Sequence, residues 1–240
     1  MTNELLALSK QFRMSVLYDG KFTAKEGLSN VEYLLEVFRA EAKTRLEKAA
    51  AERIKQARLP CFKDLESFDT DFQKSVSPEQ LGVLAKLEWI DSLFNLILIG
   101  PPGTGKTHLA IAIGHTAAKA GYNVFFSMME NLIHILKTQE ISQKSVSRMR
   151  HINKCDLVII DEMGYMPITK TEANLFFSLI SKLHQSSSVI ITSNKGFDGW
   201  AELFGDHALA TAILDRLTQK CQLLSLAGDS YRLAHSKRLF

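Results

Sequence analysis

The sequence predicts an α/β fold, in which a central parallel sheet is flanked by helices and preceded by a small N-terminal helical domain. After residue 93, short apolar runs alternate with helical patterns, which is typical of parallel strands with covering helices. Before residue 60, apolar residues recur at helical spacing instead. We therefore predict an N-terminal helical domain at 1–60, a linker at 61–78 and the α/β domain at 79–240.

The N-terminal domain is predicted to contain one long helix. Ser29 and Glu32 match a capping box, in which the hydroxyl and the carboxylate each bind a backbone N–H at the helix start. Pro60 is expected to end the helix, and Glu41 and Arg45 to pair on its solvent-exposed face. Its apolar face is predicted from residues three to five positions apart: Val31, Leu35, Phe38, Ala42, Leu46, Ala49 and Ile54.

Five apolar segments of the α/β domain are predicted to form its sheet. These strands are 94–99, 122–127, 156–160, 188–192 and 222–226. Helical patterns lie between them, at 106–120 and 171–184. The first of these helices is expected to end at Gly121, because glycine readily adopts the left-handed conformation that ends many helices.

The composition is that of an ordinary globular chain. Hydrophobic residues make up 46% and charged residues 23%, which argues against a disordered, collagen-like or disulfide-rich protein. The apolar runs are far shorter than the roughly 18 residues of a membrane-spanning helix. No basic segment precedes a long apolar block at the N-terminus, so we expect a cytoplasmic protein without a membrane partner. Cys61, Cys155 and Cys221 lack the spacing of zinc ligands, and we expect reduced thiols.

The strongest functional signal is a glycine-rich loop between the first predicted strand and a helix. It has the G-x-x-x-x-G-K-[ST] pattern of a phosphate-binding loop. Glycines let successive backbone N–H groups face a phosphate, and the helix N-terminus favours negative charge. We expect Lys106 to contact the β- and γ-phosphates of ATP, and Thr107 to bind Mg²⁺. The predicted nucleotide-binding residues of this region are Gly100, Pro101, Pro102, Gly103, Thr104, Gly105, Lys106, Thr107 and His108.

Two further predicted strands end in polar residues. Asp161 and Glu162 follow the strand 156–160, and an acidic pair there is typical of a Walker B motif. We expect Asp161 to bind Mg²⁺ and Glu162 to activate the attacking water. Asn194 follows the next strand, where its amide is expected near the γ-phosphate. Taken singly, the acids could cap a turn and Asn194 could be an ordinary turn residue. The neighbouring phosphate loop favours the catalytic interpretation.

These three strand ends, together with Arg216, resemble the AAA+ ATPases, and within them the clade of DnaA-type initiators and DnaC-type helicase loaders. Further segments resemble the IstB family of insertion-sequence transposition helpers, over nearly the whole chain. They are Arg58-Leu59-Pro60, Leu65-Glu66-Ser67-Phe68-Asp69, Asp161-Glu162-Met163-Gly164-Tyr165 and Ser230-Tyr231-Arg232. The resemblance implies an AAA+ P-loop NTPase without a C-terminal helical lid, since only 24 residues follow Arg216.

The same resemblance implies roles for two arginines. Arg216 would be the arginine finger that completes the ATP site of a neighbouring subunit in a homo-oligomer. Arg232 would be a sensor 2 residue that contacts the nucleotide in its own chain. A guanidinium suits the negative charge of a transferring phosphoryl group. The residues alone leave an alternative for Arg216, a surface ion pair with Asp215 or Glu202.

The segment 137–154 is basic, with five Lys or Arg residues and one Glu. The resemblance implies that an inserted helix here lines DNA. Such a cluster neutralises phosphates without reading bases, and the lack of interleaved aromatic residues favours duplex DNA over single strands. A solvated helix face is the alternative. The predicted DNA-binding residues are Lys137, Lys144, Arg148 and Arg150.

The sequence therefore predicts an ATP-hydrolysing transposition helper of the IstB type, with ATP and Mg²⁺ as cofactors. We expect it to oligomerise on duplex DNA, remodel target DNA and stimulate a partner DDE transposase. A DnaC-like replicative helicase loader is the nearest alternative, because it shares the ATPase core. A small-molecule kinase is a further alternative, but no acceptor-binding domain is evident and the acidic pair suits attack by water.

Overall fold

The computed structural model describes residues 3–20, 22–23 and 25–236. The chain divides into two compact units, Met1–Glu52 and Arg53–Phe240. This division lies inside the long N-terminal helix, upstream of the boundary predicted after residue 60. The residues that were predicted to form a linker therefore belong to the second unit.

The first unit contains helices α1 (Asn3–Gln11) and α2 (Ser15–Tyr18) and most of helix α3 (Asn30–Ala57). The predicted capping box is present at the start of α3. The Glu32 N–H donates to Ser29 Oγ at 3.4 Å, and the Ser29 N–H donates to Glu32 Oε2 at 2.9 Å. The predicted start of the long helix is therefore confirmed.

The buried side of α3 differs from the predicted apolar face. Val31 and Phe38 are more than half exposed, whereas Glu41 is only 5% exposed. Glu41 accepts hydrogen bonds from the Val16 N–H at 2.9 Å and from Arg45 Nε at 2.7 Å. Burial acts to raise the Glu41 pKa, but these hydrogen bonds outweigh it and the pKa is lowered. The predicted Glu41–Arg45 pair is thus confirmed. Only Arg45 is exposed, however, at 59% of its side chain, because the Glu41 carboxylate also binds the backbone of α2.

The second unit is a five-stranded parallel sheet with helices on both faces. Its strands are β1 (Asn95–Ile99), β2 (Val124–Met128), β3 (Leu157–Met163), β4 (Ser188–Ser193) and β5 (Cys221–Ser225). Its helices after α3 are α4 (Pro78–Lys86), α5 (Glu88–Asp91), α6 (Lys106–Ala120), α7 (Met129–Thr138), α8 (Gln143–Ile152), α9 (Lys170–Leu183), α10 (Asp198–Phe204), α11 (His207–Thr218) and α12 (Tyr231–Ala234). All five predicted strands are confirmed, with ends that shift by three residues at most.

The strand order is β2-β3-β4-β1-β5, and every pairing is parallel. Successive side chains of a strand point to opposite faces. Ile97 and Ile191 accordingly lie in one apolar core, and Leu98 and Ile190 lie in the other. Both faces are covered, as parallel sheets require. The loop after β1 is therefore placed at the carboxyl edge of the sheet, between the ends of β4 and β5.

Within the second unit, the segment 61–78 packs into the apolar core beside helix α6. Leu65, Phe68 and Val76 are buried in the same core as helix α6. These residues lie in turns and irregular chain rather than in a helix or a strand, so a periodic pattern did not indicate their burial. The segment also approaches the phosphate loop, since a Cβ at Gly105 would lie 3.0 Å from the Phe68 ring.

The chain after α11 was predicted to lack a helical lid. The part that the structure describes contains only β5 and the four-residue helix α12 there, so a helical lid domain is absent from those residues. Within the described ranges, none of the helices combines the length and the hydrophobicity needed to cross a bilayer.

Candidate nucleotide-binding site

The carboxyl ends of β1, β3 and β4 border a cavity of about 790 Å³. The sheet order places β4 between β1 and β3, so the residues that follow these strands meet at one edge. Ligands of open α/β sheets bind at this edge, and small-molecule sites span about 300 to 1,000 Å³. The segment 61–78 and the chain after β5 complete the cavity wall.

Most of the predicted site residues meet at this cavity. Those that line it are Pro102, Gly103, Thr104, Gly105, Lys106, Thr107, His108, Glu162, Asn194 and Arg232. Gly100 and Pro101 do not line it, but their carbonyl oxygens accept hydrogen bonds from Lys106. Asp161 lies deeper and is only 3% exposed. The spacing of motifs on separate strands thus predicted which side chains come together.

The phosphate loop depends on glycine at two positions. Gly103 and Gly105 have φ angles of 86° and 94°, and residues other than glycine rarely adopt such positive values. A Cβ at Gly103 would also overlap the Ser230 hydroxyl. The C-terminal segment lies against the loop here, and the Tyr231 N–H donates to the Gly103 carbonyl at 3.0 Å. The phosphate loop and the C-terminal segment therefore pack closely together and share a backbone hydrogen bond.

The Lys106 side chain lies along the loop at the start of α6. Its Nζ donates to the carbonyl oxygens of Gly100 at 2.6 Å and Pro101 at 2.7 Å. Burial lowers the Lys106 pKa, Asp161 opposes this effect, and the positive charge of Arg232 adds to it. Two cations thus lie near each other at the cavity, an arrangement that attracts a polyphosphate.

Asp161 is held by two hydroxyl groups. Its Oδ1 accepts hydrogen bonds from Thr107 Oγ1 at 2.9 Å and from Thr192 Oγ1 at 2.5 Å. Thr107 comes from the phosphate loop and Thr192 from β4, so one carboxylate joins three strand ends. Sequence reasoning missed Thr192, whose polar side chain near the end of an apolar strand was the only available signal.

Glu162 lies at an irregularity of β3. The register between β3 and β4 shifts between Ile160 and Met163, and Glu162 has a φ of 62°, which is unusual for a residue other than glycine. Its N–H donates to Thr192 Oγ1 at 3.0 Å, and its exposed side chain lines the cavity. A bulge of this kind redirects a side chain next to an active site. Thr192 therefore contacts both members of the acidic pair.

Asn194 faces the same cavity from the end of β4. Its Oδ1 atom is buried and has no hydrogen-bond partner among the residues that the structure describes. Gly164 lies close by, since a Cβ there would be 3.0 Å from Asn194 Oδ1. A buried acceptor of this kind is costly unless it is paired, so a bound molecule with an O–H or N–H group would satisfy it.

Part of the cavity wall is aromatic, which sequence reasoning also missed. The Tyr231 and His235 rings stack with centroids 3.9 Å apart, and Phe72 meets Tyr231 edge to face at 5.1 Å. His108 Nε2 lies 3.2 Å from Ser67 Oγ, and burial lowers the His108 pKa. Aromatic faces provide a surface for a planar base. Among the residues of the C-terminal segment, the family resemblance had given a site role to Arg232 alone.

Arg216 does not join the other predicted catalytic residues. It lies on α11 and is not among the described residues that line the cavity of its own chain. Its guanidinium carbon is 4.5 Å from the centroid of the Phe177 ring, and its Nη1 donates to the Ala212 carbonyl at 2.9 Å. A cation over an aromatic face is held in place by the ring quadrupole.

The predicted DNA-binding residues lie in different surroundings. Lys137 Nζ, near the end of α7, forms an ion pair with Glu172 Oε1 at 2.8 Å. Lys144 and Arg150 are exposed on α8. Arg148 is partly buried; its Nε has no hydrogen-bond partner in the described chain, and burial lowers its pKa. Three of the four basic side chains are therefore exposed, and one of these three, Lys137, is ion-paired.

The family of IstB-like ATP binding proteins matches residues 15–239 of this chain. The chain belongs to this family. The IS21 insertion-sequence ATP-binding protein of Pseudomonas aeruginosa is 41% identical over 215 residues, which cover 90% of this chain and 81% of that protein. The corresponding IS232 protein of Bacillus thuringiensis subsp. berliner is 37% identical over 212 residues, which cover 88% of this chain and 85% of that protein.

Solved structures share the fold of about three quarters of this chain. The replication initiator DnaA bound to AMPPCP and single-stranded DNA has a TM-score of 0.55 at 24% identity; the match covers 72% of this chain and about half, 52%, of DnaA. DnaI has a TM-score of 0.57 at 17% identity, with 74% of this chain and 94% of DnaI covered. The predicted AAA+ P-loop fold is confirmed. The chain thus belongs to a family of ATP-binding proteins whose curated relatives come from insertion sequences, and this membership supports an ATPase.

Proposed function

We propose that this IstB-like chain is an ATP-hydrolysing, DNA-binding transposition helper. It forms homo-oligomers on duplex DNA, remodels the target DNA and stimulates a partner DDE transposase. The observation that carries the proposal is the cluster of Thr107, Asp161 and Glu162 beside the phosphate loop. The insertion-sequence relatives support the role in transposition.

In the proposed reaction, the backbone N–H groups of the loop bind the phosphates of ATP. Lys106 moves from the loop carbonyls to the β- and γ-phosphate oxygens. The Glu162 carboxylate accepts a proton from the water that attacks the γ-phosphorus, and ADP leaves with the electron pair of the broken P–O bond. Asn194 Oδ1, which is buried without a partner in the described chain, accepts a hydrogen bond from the same water.

The residues present fit Mg²⁺. This ion prefers oxygen ligands and is usually held by one or two carboxylates together with substrate phosphates. Thr107 Oγ1 and Asp161 Oδ1 lie 2.9 Å apart and are the proposed protein ligands. When bound, the ion would offset the negative charge of the β- and γ-phosphates. Thr192 keeps the Asp161 carboxylate oriented through its 2.5 Å hydrogen bond.

The proposed oligomer completes each ATP site with Arg216 from a neighbouring subunit. This arginine lies over Phe177, outside the cavity of its own chain, and a finger supplied in trans stabilises the charge of the transferring phosphoryl group. Because ATP would then contact two subunits, its binding favours the assembled state by linkage. Arg232 is the proposed contact to the nucleotide in its own chain.

The proposed DNA contact lies on the basic segment of α7 and α8. Lys144 and Arg150 are exposed there and would neutralise backbone phosphates without reading bases. Lys137 would have to exchange its ion pair with Glu172 for a phosphate. In the proposed role, the chain assembles on target DNA and a separate transposase performs the strand chemistry.

The test is the ATPase rate without DNA, with single-stranded DNA and with duplex DNA, alongside particle size with ATP or ADP. We expect duplex DNA to stimulate hydrolysis and to support assembly only with ATP. Glu162→Gln should keep ATP bound, slow hydrolysis by about 10²- to 10⁴-fold and prolong the assemblies. Glu88→Gln, at an exposed acid of α5 that lies outside both the cavity and the basic segment 137–154, is the matched control and should behave as wild type.

The helicase-loader alternative gives a different result in the same experiment. The likeness to the DnaC helicase loader, which extends over 96% of that chain, is the observation that favours it. Assembly with single strands alone, together with capture of a replicative helicase instead of a transposase, would support the loader. A response to no DNA of either kind would contradict both proposals.

A further inference from the structure

Gln73 joins three parts of the nucleotide-binding unit through one side chain. It lies in the segment 61–78 and is only 5% exposed. Its Nε2 donates to the Thr104 carbonyl of the phosphate loop at 3.0 Å and to the Ala227 carbonyl after β5 at 3.1 Å. Its Oε1 accepts the Ser75 N–H at 3.0 Å. Two acceptors at one end and a donor at the other fix which way the amide points.

The contact with Thr104 matters because of how a phosphate loop works. The loop binds phosphate with N–H groups that face one way, so its carbonyl oxygens need donors elsewhere when they are removed from water. The Gly103 carbonyl accepts the Tyr231 N–H, and the Thr104 carbonyl accepts Gln73. Neither of these donors comes from the loop itself.

The contact with Ala227 extends the same linkage to the C-terminal segment. The Ala227 N–H donates to Ser75 Oγ at 3.0 Å, so this residue is held on both sides by the segment that carries Gln73. A few residues later, Tyr231 binds the loop and Arg232 lines the cavity. One buried amide therefore links the conformation of the loop to the position of the C-terminal segment.

We propose that Gln73 is a positioning residue for polyphosphate binding: it holds the Thr104 carbonyl turned away from the nucleotide and sets the C-terminal segment beside the loop. The inference rests on the nucleotide site of the proposed function and assigns to it a residue outside the phosphate-loop and strand-end motifs. It requires both N–H groups of the amide, because each is used by a different carbonyl oxygen.

The chain offers a near-isosteric variant and a matched control. Gln73→Glu removes both donors and sets a carboxylate against two carbonyl oxygens. Gln80→Glu makes the same change in α4, outside the cavity, where Gln80 only accepts the Ser77 N–H at 2.9 Å in a capping box. Glutamate serves equally well at that capping position, so the control should leave binding unchanged. Gln73→Met, which keeps the length without the charge, covers the case in which Gln73→Glu folds poorly.

The experiment measures the affinities of ATP, ADP and AMP by calorimetry with Mg²⁺, on the full chain. We expect Gln73→Glu to weaken ATP and ADP by about tenfold, the factor that corresponds to one lost hydrogen bond, and AMP by less than twofold. Gln73→Met should change the ratio of ADP to AMP affinity in the same direction. This ratio does not depend on the folded fraction, so a general loss of stability would not alter it.

Two results would overturn the inference in distinguishable ways. If wild type binds ATP and ADP more tightly than AMP and both Gln73 variants keep that ratio, Gln73 does not position the loop and the proposed site stands. An equal loss for all three nucleotides would likewise assign Gln73 to general support of the cavity wall. If wild type itself binds ATP no more tightly than AMP, the proposed nucleotide site fails and the role of Gln73 fails with it.

Discussion

The carboxyl edge of the sheet and the basic segment 137–154 both present positive charge, but they hold it differently. Lys106 is buried and is fixed by two backbone carbonyls of its own loop. Lys144 and Arg150 lie exposed on α8, where dissolved salt screens their charges. The position of a charge is therefore well determined where the backbone holds it, and only loosely determined on an exposed helix face.

The largest effect on ATP affinity is expected at the sheet edge, from Lys106→Ala. Loss of the ammonium group removes charge-assisted hydrogen bonds to phosphate, each of about 1.5 to 3 kcal/mol. We expect ATP affinity to fall by about 100-fold or more, measured by calorimetry. Glu162→Gln is the comparison, since it should bind ATP within about twofold of wild type. An equal loss in both variants would refute the separate roles of Lys106 in binding and Glu162 in hydrolysis.

A large effect on the rate of hydrolysis is expected at Arg216, which lies over Phe177 and outside the cavity of its own chain. Arg216→Ala should slow hydrolysis by about 10³-fold, in the range known for arginine fingers, while ATP still binds. Mixing with Lys106→Ala protein should restore part of the rate, because one variant supplies an intact nucleotide site and the other an intact arginine. A mixture with no more activity than the sum of its parts would contradict action in trans.

The fold was predictable because its signals are local and repeat along the chain. The five strands were predicted from apolar runs. Helix α6 was predicted from its helical pattern and from Gly121, the residue expected to end it. The meeting of the phosphate loop with Asp161 was predictable as well, because parallel strands bring their carboxyl ends to one edge. Family resemblance added Arg216 and Arg232, which no local pattern would have selected.

The supporting contacts were not predictable, because they join residues that are distant in sequence and ordinary in type. Gln73 lies 154 positions from Ala227, and Thr192 lies 31 positions from Asp161. A glutamine in an irregular segment and a threonine in a strand have no spacing that marks them. Likewise, the burial of Glu41 and the ion pair of Lys137 depend on neighbouring elements that the local sequence does not reveal.

Thr192→Val gives an intermediate effect at the sheet edge. The substitution keeps the shape but removes the hydroxyl that donates to Asp161 and accepts the Glu162 N–H. Residues that orient ligands of this kind contribute about 10- to 100-fold to activity. We expect kcat to fall by that factor with KM little changed, and Thr192→Ser to restore most of it. If the serine variant is as slow as the valine variant, the hydroxyl is not what orients the acids.

Smaller effects are expected in the basic segment. Each lost phosphate contact reduces the slope of log affinity against log salt by about one. Lys144→Gln and Arg150→Gln should each do so for duplex DNA of any sequence, in fluorescence anisotropy titrations at several salt concentrations. Lys137→Gln should change the slope less, because its ammonium is already paired with Glu172. A full unit of change for Lys137, with none for Lys144, would reverse the assignment.

The smallest effect is on stability and depends on pH. The Lys137 ammonium is the main cause that lowers the Glu172 pKa to about 2, helped by the Thr169 N–H. Because the folded pKa is depressed, the stabilisation is fully present above the ordinary carboxyl pKa and is lost as the pH falls towards 2. Lys137 is more than half exposed, so we expect Lys137→Gln to cost only about 0.2 to 1 kcal/mol at pH 7. The difference in melting temperature from wild type should shrink between pH 4.5 and pH 2, whereas Lys144→Gln should show no such trend. A difference that is constant with pH would mean that Lys137 contributes packing by its aliphatic stem rather than charge.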